Sequence, residues 1–381
     1  MVETNNGTIK IIYENNKIIN LGITNKYLDI LLSNEHKNSY FLLSKKYNFH
    51  KKIRLGFFSS DFQEHPIAHL TSELFEKIDK SKFETFAFSF GDASDSDKYK
   101  ARLKNAFNKF IEIKDLSDLE TLKISREHEI DIAIDLNGHT GKVRTSLFAL
   151  RIAPIQLHHL GFLGTMGADF MDYIIADKTL IPLSQQRCYS EKIIYLPSYQ
   201  PNDSQRKIST KHFSRSDFNL NDNDFIFCCF NDNYKILPDI FDSWMRILKA
   251  VEGSVLFLYA ENVWAKENLK KSALARGIDS SRLVFGKSIP ADEYLARYKV
   301  CDLFLDTFPY NAGTTASDAL WTGLPVLTMA GKSFASRMGA SLLNAIGLPE
   351  LITESISGYE ALAIDLARDY DRFVEVKTRL E

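Results

Sequence analysis

The chain is poor in cysteine: four in 381 residues, at Cys188, Cys228, Cys229 and Cys301, with no CxxC pair among them. Zinc-ribbon and thioredoxin-type chemistry are therefore unsupported, and the expected state is buried reduced thiols in a cytoplasmic protein. No run of about 18 apolar residues occurs, so no membrane span or membrane partner is expected. The polar start MVETNNGTIK lacks an apolar h-region, so no signal peptide is expected. An excess of either charge is missing too, since the formal net charge is -2 with 25% charged residues. That balance speaks against a nucleic-acid partner, which calls for a basic face, and leaves small anionic ligands open. Neither GxGxxG nor a P-loop is found, and no helical-hairpin repeat is visible.

What is present is core-forming material: 45% of residues are hydrophobic, and the length fits two domains better than one. Residues 1–51 are rich in Asn, Lys and Tyr and read as an N-terminal arm with one helical pattern at 27–32. From residue 52 short β-rich runs alternate with helical patterns. Strands are expected at 54–59, 85–90, 131–136, 155–160 and 173–176, and helices at 68–78, 97–110, 118–127 and 145–150. Residues 201–224 are polar and turn-rich and read as an inter-domain linker. The alternation restarts at 225. Strands are expected at 225–230, 255–260, 283–285, 303–306 and 325–328. Helices are expected at 239–251, 266–276, 291–299, 315–321 and 335–346, and one from 358 onward. Such alternation implies α/β architecture with right-handed crossovers and parallel sheets covered on both faces. The division is a first lobe at 52–200 and a second at 225–381. Ligands of such folds bind where strands end at the switch point of the sheet, here expected to face a cleft.

The motifs sit at those strand ends. DTFPYNAGTTASD (306–318) follows a buried strand and opens a helix. Gly313 lets a ligand approach the backbone, and Thr314 or Thr315 can cap the helix through a side-chain oxygen. Free amides and the positive helix end suit a diphosphate, and Asp318 can accept ribose hydroxyls one turn further in. An ordinary βα-turn cap explains the same residues equally well. FNDNYK (230–235) brings Lys235 beside the expected phosphates, with Asp232 and Tyr234 next to it. SSDFQEHPIAH (59–69) places His65 before Pro66. His65 can donate to a substrate oxygen, act as a base, or simply cap the helix, as can Asp61. Asn137, Gly138, His139 and Thr140 follow the strand DIAIDL, and the glycine-rich GFLGTMG (161–167), with Gly164 and Thr165, follows IQLHHL. His158 and His159 alternate across a strand, so one is expected to point inward. Three DxD triplets, at Asp95, Asp222 and Asp369, read as turns or helix-face charges rather than a metal loop.

Taken together, SSDFQEHPIAHL, DLNGHTGKVRTSLFALRIAPIQLHHLGFLGTMGADFMDYIIAD, YSEKIIYLP, FNDNYKI and DTFPYNAGTTASDALWTGLPVLTMAGKSFASRMGASLL resemble the catalytic region of the O-GlcNAc transferase/SPINDLY family. The similarity runs from about residue 52 to the end of the chain. The resemblance implies a GT-B fold of two Rossmann-like lobes. It implies inverting, metal-independent transfer of a sugar from a nucleotide diphosphate to Ser or Thr hydroxyls of a protein or peptide, with no cofactor. By position, Lys235 matches the lysine on the diphosphate, Thr314 and Thr315 the threonines of the phosphate-binding helix, and Asp318 the acid on the ribose. His65 matches the active-site histidine of the first lobe. Tyr294 and Arg297 lie in the segment near the base, and Gly164 and Thr165 in the glycine-rich loop near the donor.

Three positions depart from the O-GlcNAc branch. Gly313 stands where that branch has His and matches the SPINDLY branch; Asp232 replaces Gln or Asn; Tyr294 replaces a base-stacking His, a role an aromatic ring can keep. The donor is therefore UDP-GlcNAc first, with GDP-fucose as the alternative and a non-catalytic sugar-nucleotide-binding module as the third reading. The family also implies a superhelix of tetratricopeptide repeats before the catalytic region, for which the residues ahead of 52 are too few. It further implies a long final helix past the last residue.

Overall fold

The computed structural model describes residues 50–380, together with the backbone of Thr4–Asn5 and Thr8–Ile9, which pair antiparallel. Apart from residues 50 and 51, the N-terminal arm and its pattern at 27–32 otherwise lie outside the described residues. The chain divides into two compact units, the first ending at Gln205 and the second starting at Arg206.

The first unit is built on Phe-rich strands whose successive side chains must bury on opposite faces. Strand β1 (Ile53–Ser59) shows this directly. Phe57 packs edge-on to Phe75 at 4.9 Å, while its neighbour Phe58 stacks on Phe88 at 4.3 Å on the other face. Helix α1 (Pro66–Lys77), β2 (Phe83–Ser89), α2 (Lys98–Ala106) and β3 (Lys109–Glu112) wind to one side. After α3 (Asp118–Glu127), started by a Ser117/Glu120 capping box, the chain returns to the other side of β1 with β4 (Ile132–Asp135). Helix α4 (Thr145–Ala149), β5 (Ile155–His158), β6 (Tyr173–Ala176) and β7 (Lys192–Tyr195) follow. The seven strands are parallel in the order β3-β2-β1-β4-β5-β6-β7. The switch point therefore lies between the ends of β1 and β4.

The second unit repeats the plan. Its strands are β8 (Phe225–Cys229), β9 (Ser254–Tyr259), β10 (Leu283–Gly286), β11 (Leu303–Leu305), β12 (Val326–Met329) and β13 (Ile352–Thr353). They are parallel in the order β10-β9-β8-β11-β12-β13, with the switch point between β8 and β11. The helices are α5 (Pro238–Ala250), α6 (Val263–Ala275), α7 (Ala291–Arg297), α8 (Thr314–Trp321), α9 (Met338–Ala345), α10 (Ile356–Arg368) and α11 (Tyr370–Thr378). Trp244 of α5 is fully buried and donates through Nε1 to Tyr359 Oη of α10 at 3.2 Å. Tyr359 in turn donates to the Asp306 carbonyl at 3.0 Å, which ties this core to the end of β11.

Several expectations are corrected. The helix expected over 97–110 stops at Ala106, because Asn108 leaves it and its side chain accepts from Thr85 N at 2.9 Å. The residues that follow form edge strand β3, which is half-exposed and shows no clean alternation. Edge strands β7 and β13 were likewise not expected, being short and only partly buried. The final helix is two helices, since Asp369 ends α10 in an extended conformation and caps α11 by accepting from Arg372 N at 3.0 Å. The end of the helix expected over 291–299, and the start of that expected over 335–346, are 3-10 turns at Tyr298–Val300 and Ala335–Arg337.

Residues 206–224, read as linker, are bound into the second unit. Ser209 N donates to Asp292 O at 3.0 Å, Lys211 pairs with Glu293 at 2.8 Å, and Arg215 pairs with Asp302 at 2.8 Å. On the other side of the division, Ser204 N donates to Glu73 at 2.6 Å within the first unit. No helix among the described residues is long and apolar enough to cross a membrane.

Two stability outcomes follow from the end of β11. A Cβ on Gly339 of α9 would fall 2.6 Å from Asp306 Oδ2 and also strike Thr328 Oγ1. Gly339→Ala should therefore lower Tm by roughly 2–10 °C in a thermal melt, the size expected for overpacking a core. Burial pushes the Asp306 carboxyl up to about 7, against hydrogen bonds from Thr328 and Ala312 and the nearby Lys235 charge, which lower it. The folded state then keeps a proton that the unfolded chain releases near pH ~4, so this group favours folding below pH 7 and loses that contribution as pH rises to 7. Urea melts at pH 5, 6, 7 and 8 should show wild type losing about 1.4 kcal/mol per pH unit relative to Asp306→Asn up to pH 7, and nothing further above it.

Candidate functional site

At the switch point of the second unit, the connection from β11 to α8 is folded around Asp306. This carboxylate is buried and accepts from Thr307 N at 2.8 Å, Ala312 N at 2.7 Å and Thr328 Oγ1 at 2.6 Å. Both ends of the 307–312 loop are thus fixed to one side chain. The loop delivers the chain into α8, whose N-cap is Gly313 with no side-chain cap. The expected capping by Thr314 or Thr315 is corrected here. Both residues already lie inside the helix, and the Thr315 hydroxyl donates instead to Asn231 Oδ1. Asn231, buried at the end of β8, donates in turn to Thr307 Oγ1 at 2.8 Å. The first-turn amides of α8 are left uncapped by side chains, and an uncapped helix start attracts anions.

Lys235 comes to the same loop from the turn after β8. Its Nζ stands 4.3 Å over the Tyr310 ring and 3.4 Å from the Asn311 carbonyl. Burial lowers its pKa, opposed by the charges of Asp306, Cys229 and Asp232. A partly desolvated ammonium beside a helix start is a receptor for phosphate oxygens. Asp232 and Tyr234, its neighbours, are exposed. Asp318, one turn into α8, is buried and paired with Arg206 at 2.5 Å, so it is not a free acceptor.

Tyr294 and Arg297 lie on α7 beside this helix. The Tyr294 and Tyr298 hydroxyls are 2.6 Å apart, and Tyr298 donates to the Thr315 carbonyl at 3.1 Å. Burial holds both phenols far above their ordinary pKa. Arg297 is 1% exposed. Its guanidinium lies 4.1 Å from the centre of Phe230 and 5.1 Å from that of Tyr294, and it donates to Lys287 O at 2.9 Å.

In the first unit, His65 caps α1, with Nδ1 accepting from Ile67 N at 3.2 Å. The neutral ring therefore carries its proton on Nε2 and presents a donor. Burial lowers its pKa, the Asp61 charge opposing and the His69 charge adding to that effect, so the neutral donor form is favoured. Asn137 is spent on structure. It accepts from Ser60 N at 3.0 Å and donates to Ser60 Oγ and Asp61 Oδ2 at 2.9 and 2.8 Å, bridging the ends of β1 and β4. His139 Nε2 is 3.2 Å from Met166 O, against the edge of Phe162. Gly164 and Thr165 are buried, and Thr165 donates to Glu191 at 2.5 Å while Glu191 also accepts from Met166 N. His158 and His159 are both buried, which corrects the expectation of one inward ring: this sheet is covered on both faces. Burial takes His159 down to about 4.

Of the DxD triplets, Asp97 and Asp369 are helix caps, and no three His, Cys, Asp or Glu side chains converge as a metal site among the described residues. Sequence reasoning missed Asn231, Glu191 and Arg206. Each acts on a residue distant in sequence, and neither periodicity nor local spacing signals that.

Comparison with known proteins agrees with this architecture. Residues 11–208 and 200–381 match the family model described as Glycosyl transferase family 41. A probable UDP-N-acetylglucosamine--peptide N-acetylglucosaminyltransferase SEC of Arabidopsis thaliana is 34% identical over 83% of this chain and 33% of its own length. The probable SPINDLY transferase of the same plant is 28% identical over 87% of this chain and 36% of its own. The chain thus spans about a third of the length of these curated relatives. A mutant O-GlcNAc transferase of Thermobaculum terrenum superposes with a TM-score of 0.80 at 30% identity, over 87% of this chain and 63% of that one. The two Rossmann-like parallel-sheet units are those of the GT-B class. The chain belongs to glycosyl transferase family 41.

Proposed function

We propose that this chain transfers a sugar from a nucleoside diphosphate to Ser or Thr hydroxyls of a protein or peptide in the cytoplasm, inverting the anomeric carbon and using no metal or other cofactor. UDP-GlcNAc is the preferred donor in this reading. The observation that carries it is the meeting of Lys235 with the loop that presents the uncapped start of α8. In the displacement, the acceptor oxygen bonds to the anomeric carbon, the bond to the diphosphate oxygen breaks, the nucleoside diphosphate leaves with the electron pair, and the hydroxyl proton passes to an oxygen of the departing diphosphate. The charge that develops on it falls to Lys235 and the α8 amides. Charge stabilisation of this preorganised kind is usually the largest catalytic contribution. His65, with its proton on Nε2, supports a hydrogen-bond donor role better than a general-base role. The gain of an acid at Asp232 and the glycine at Gly313 favour GDP-fucose as the second reading.

Calorimetric titration of the purified chain with UDP and GDP, each with and without EDTA, should give UDP binding that EDTA leaves unchanged. Preference for GDP would move the donor to the fucosyl reading, EDTA sensitivity would restore a metal, and binding of neither would sink the transferase reading. Lys235→Ala should lower kcat with UDP-GlcNAc and an acceptor peptide by about 100-fold or more, as loss of a transition-state donor does, with little change in acceptor KM. Equal losses in kcat and in acceptor affinity would remove Lys235 from the leaving-group role.

A further inference from the structure

Lys235 carries its charge on a flexible stem that leaves the 3-10 turn Asn233–Lys235. Among the described residues its ammonium has two close contacts. The Tyr310 ring lies beneath it, 4.3 Å away at the centroid, and the Asn311 carbonyl is at a long 3.4 Å. A hydrogen bond of that length orients little, so the ring is the stronger constraint.

The backbone that carries the ring is anchored on both sides. The Thr307 hydroxyl donates to the Tyr310 carbonyl at 2.7 Å, so its oxygen is left to accept from Asn231 Nδ2 at 2.8 Å. That turns Asn231 Oδ1 toward the Thr315 hydroxyl, which donates to it. One directed chain through buried Asn231 thus joins Tyr310 to the first turn of α8. On the other side, Asn311 N donates to Ala335 O at 3.1 Å and Asn311 Nδ2 to Thr307 O at 2.7 Å.

We propose that Tyr310 is the positioning residue of Lys235: its ring face seats the ammonium beside the loop that opens into α8, where charge develops on the leaving diphosphate. This rests on the transferase reading given above. A carboxylate at position 310 would hold the lysine more firmly but would cancel the charge the reaction needs. A ring face attracts the cation and leaves its charge in place. The chain through Asn231 and Thr307 then keeps this seat in register with the helix start.

The test is calorimetry with UDP and with uridine, or the guanosine pair if GDP is preferred. The proteins are wild type, Tyr310→Leu, Tyr310→Phe, Lys235→Ala and the Lys235→Ala/Tyr310→Leu double variant. Tyr310→Leu should weaken UDP binding by about tenfold, the size a desolvated cation–ring contact supports, and leave uridine binding within about twofold. Tyr310→Phe, which keeps the ring face, should retain most of the UDP affinity. In the Lys235→Ala background Tyr310→Leu should cost nothing further, because the seat is then empty. Tyr310→Leu that binds UDP like wild type overturns the proposal. So does a loss that recurs in full in the Lys235→Ala background or extends equally to uridine, and so does Tyr310→Phe that loses as much as Tyr310→Leu. If Tyr310→Leu does not fold, Tyr310→Met takes its place with the same outcomes. An NMR titration of the Lys235 side chain needs no ligand. Its ammonium should lose its proton at lower pH in Tyr310→Leu than in wild type or Tyr310→Phe, and an unmoved midpoint overturns the seat. A wild type that binds no nucleotide overturns the transferase reading, and the titration then decides the seat by itself.

Discussion

The second unit is organised around one buried carboxylate. Asp306 ends β11 and gathers donors from its own loop at both ends, from β12 and, through its carbonyl, from Tyr359 of α10. A buried acid is costly unless hydrogen bonds replace the water it loses. Here the replacement comes from elements far apart in sequence, so satisfying the acid and folding the loop are one event. Gly339 belongs to the same arrangement, because only a glycine lets α9 approach the carboxylate. The start of α8, the Asn311 carbonyl beside Lys235 and the Thr307 hydroxyl all take their positions from this anchor. The geometry of the 307–312 loop and the start of α8 is therefore a property of the core rather than of a mobile surface loop.

The alternation of strands and helices was legible in the sequence because parallel strands buried on both faces are continuous apolar runs, such as 225–229 and 254–259. Edge strands were not, since β3, β7 and β13 bury little and alternate poorly. The motif order at the strand ends was legible too: Lys235, Gly313 and the start of α8 all fall at the switch point between β8 and β11. The detailed hydrogen bonding was not. Thr315 looked like a cap from its place in the turn, and only the fold shows Asn231 waiting for its hydroxyl. Asn137 stood out only as a residue after the strand DIAIDL, and only the fold shows its amide bonded to Ser60 and Asp61. Such partners are set by which strands lie side by side, information that local patterns do not hold.

The cations of the second unit are held in different ways, and the difference bears on an anionic ligand. Arg215 is neutralised by Asp302 and Arg246 by Glu360 at or near the surface. Arg297, buried more deeply, has no carboxylate partner among the described residues; Phe230, Tyr294 and Phe257 surround it instead. Ring faces attract a cation without cancelling its charge. Lys235 is held likewise over the Tyr310 ring, with Asp306 close enough to be felt but not close enough to form an ion pair. In a poorly solvated site, charge left uncancelled acts over longer range than the same charge in a salt bridge. The aromatic residues around α7 and the 307–312 loop thus do two things at once. They fill the space beside α8, and they leave positive charge uncancelled next to its start. Arg206 is buried as well, but it is paired with Asp318, so its charge is balanced locally and adds little there.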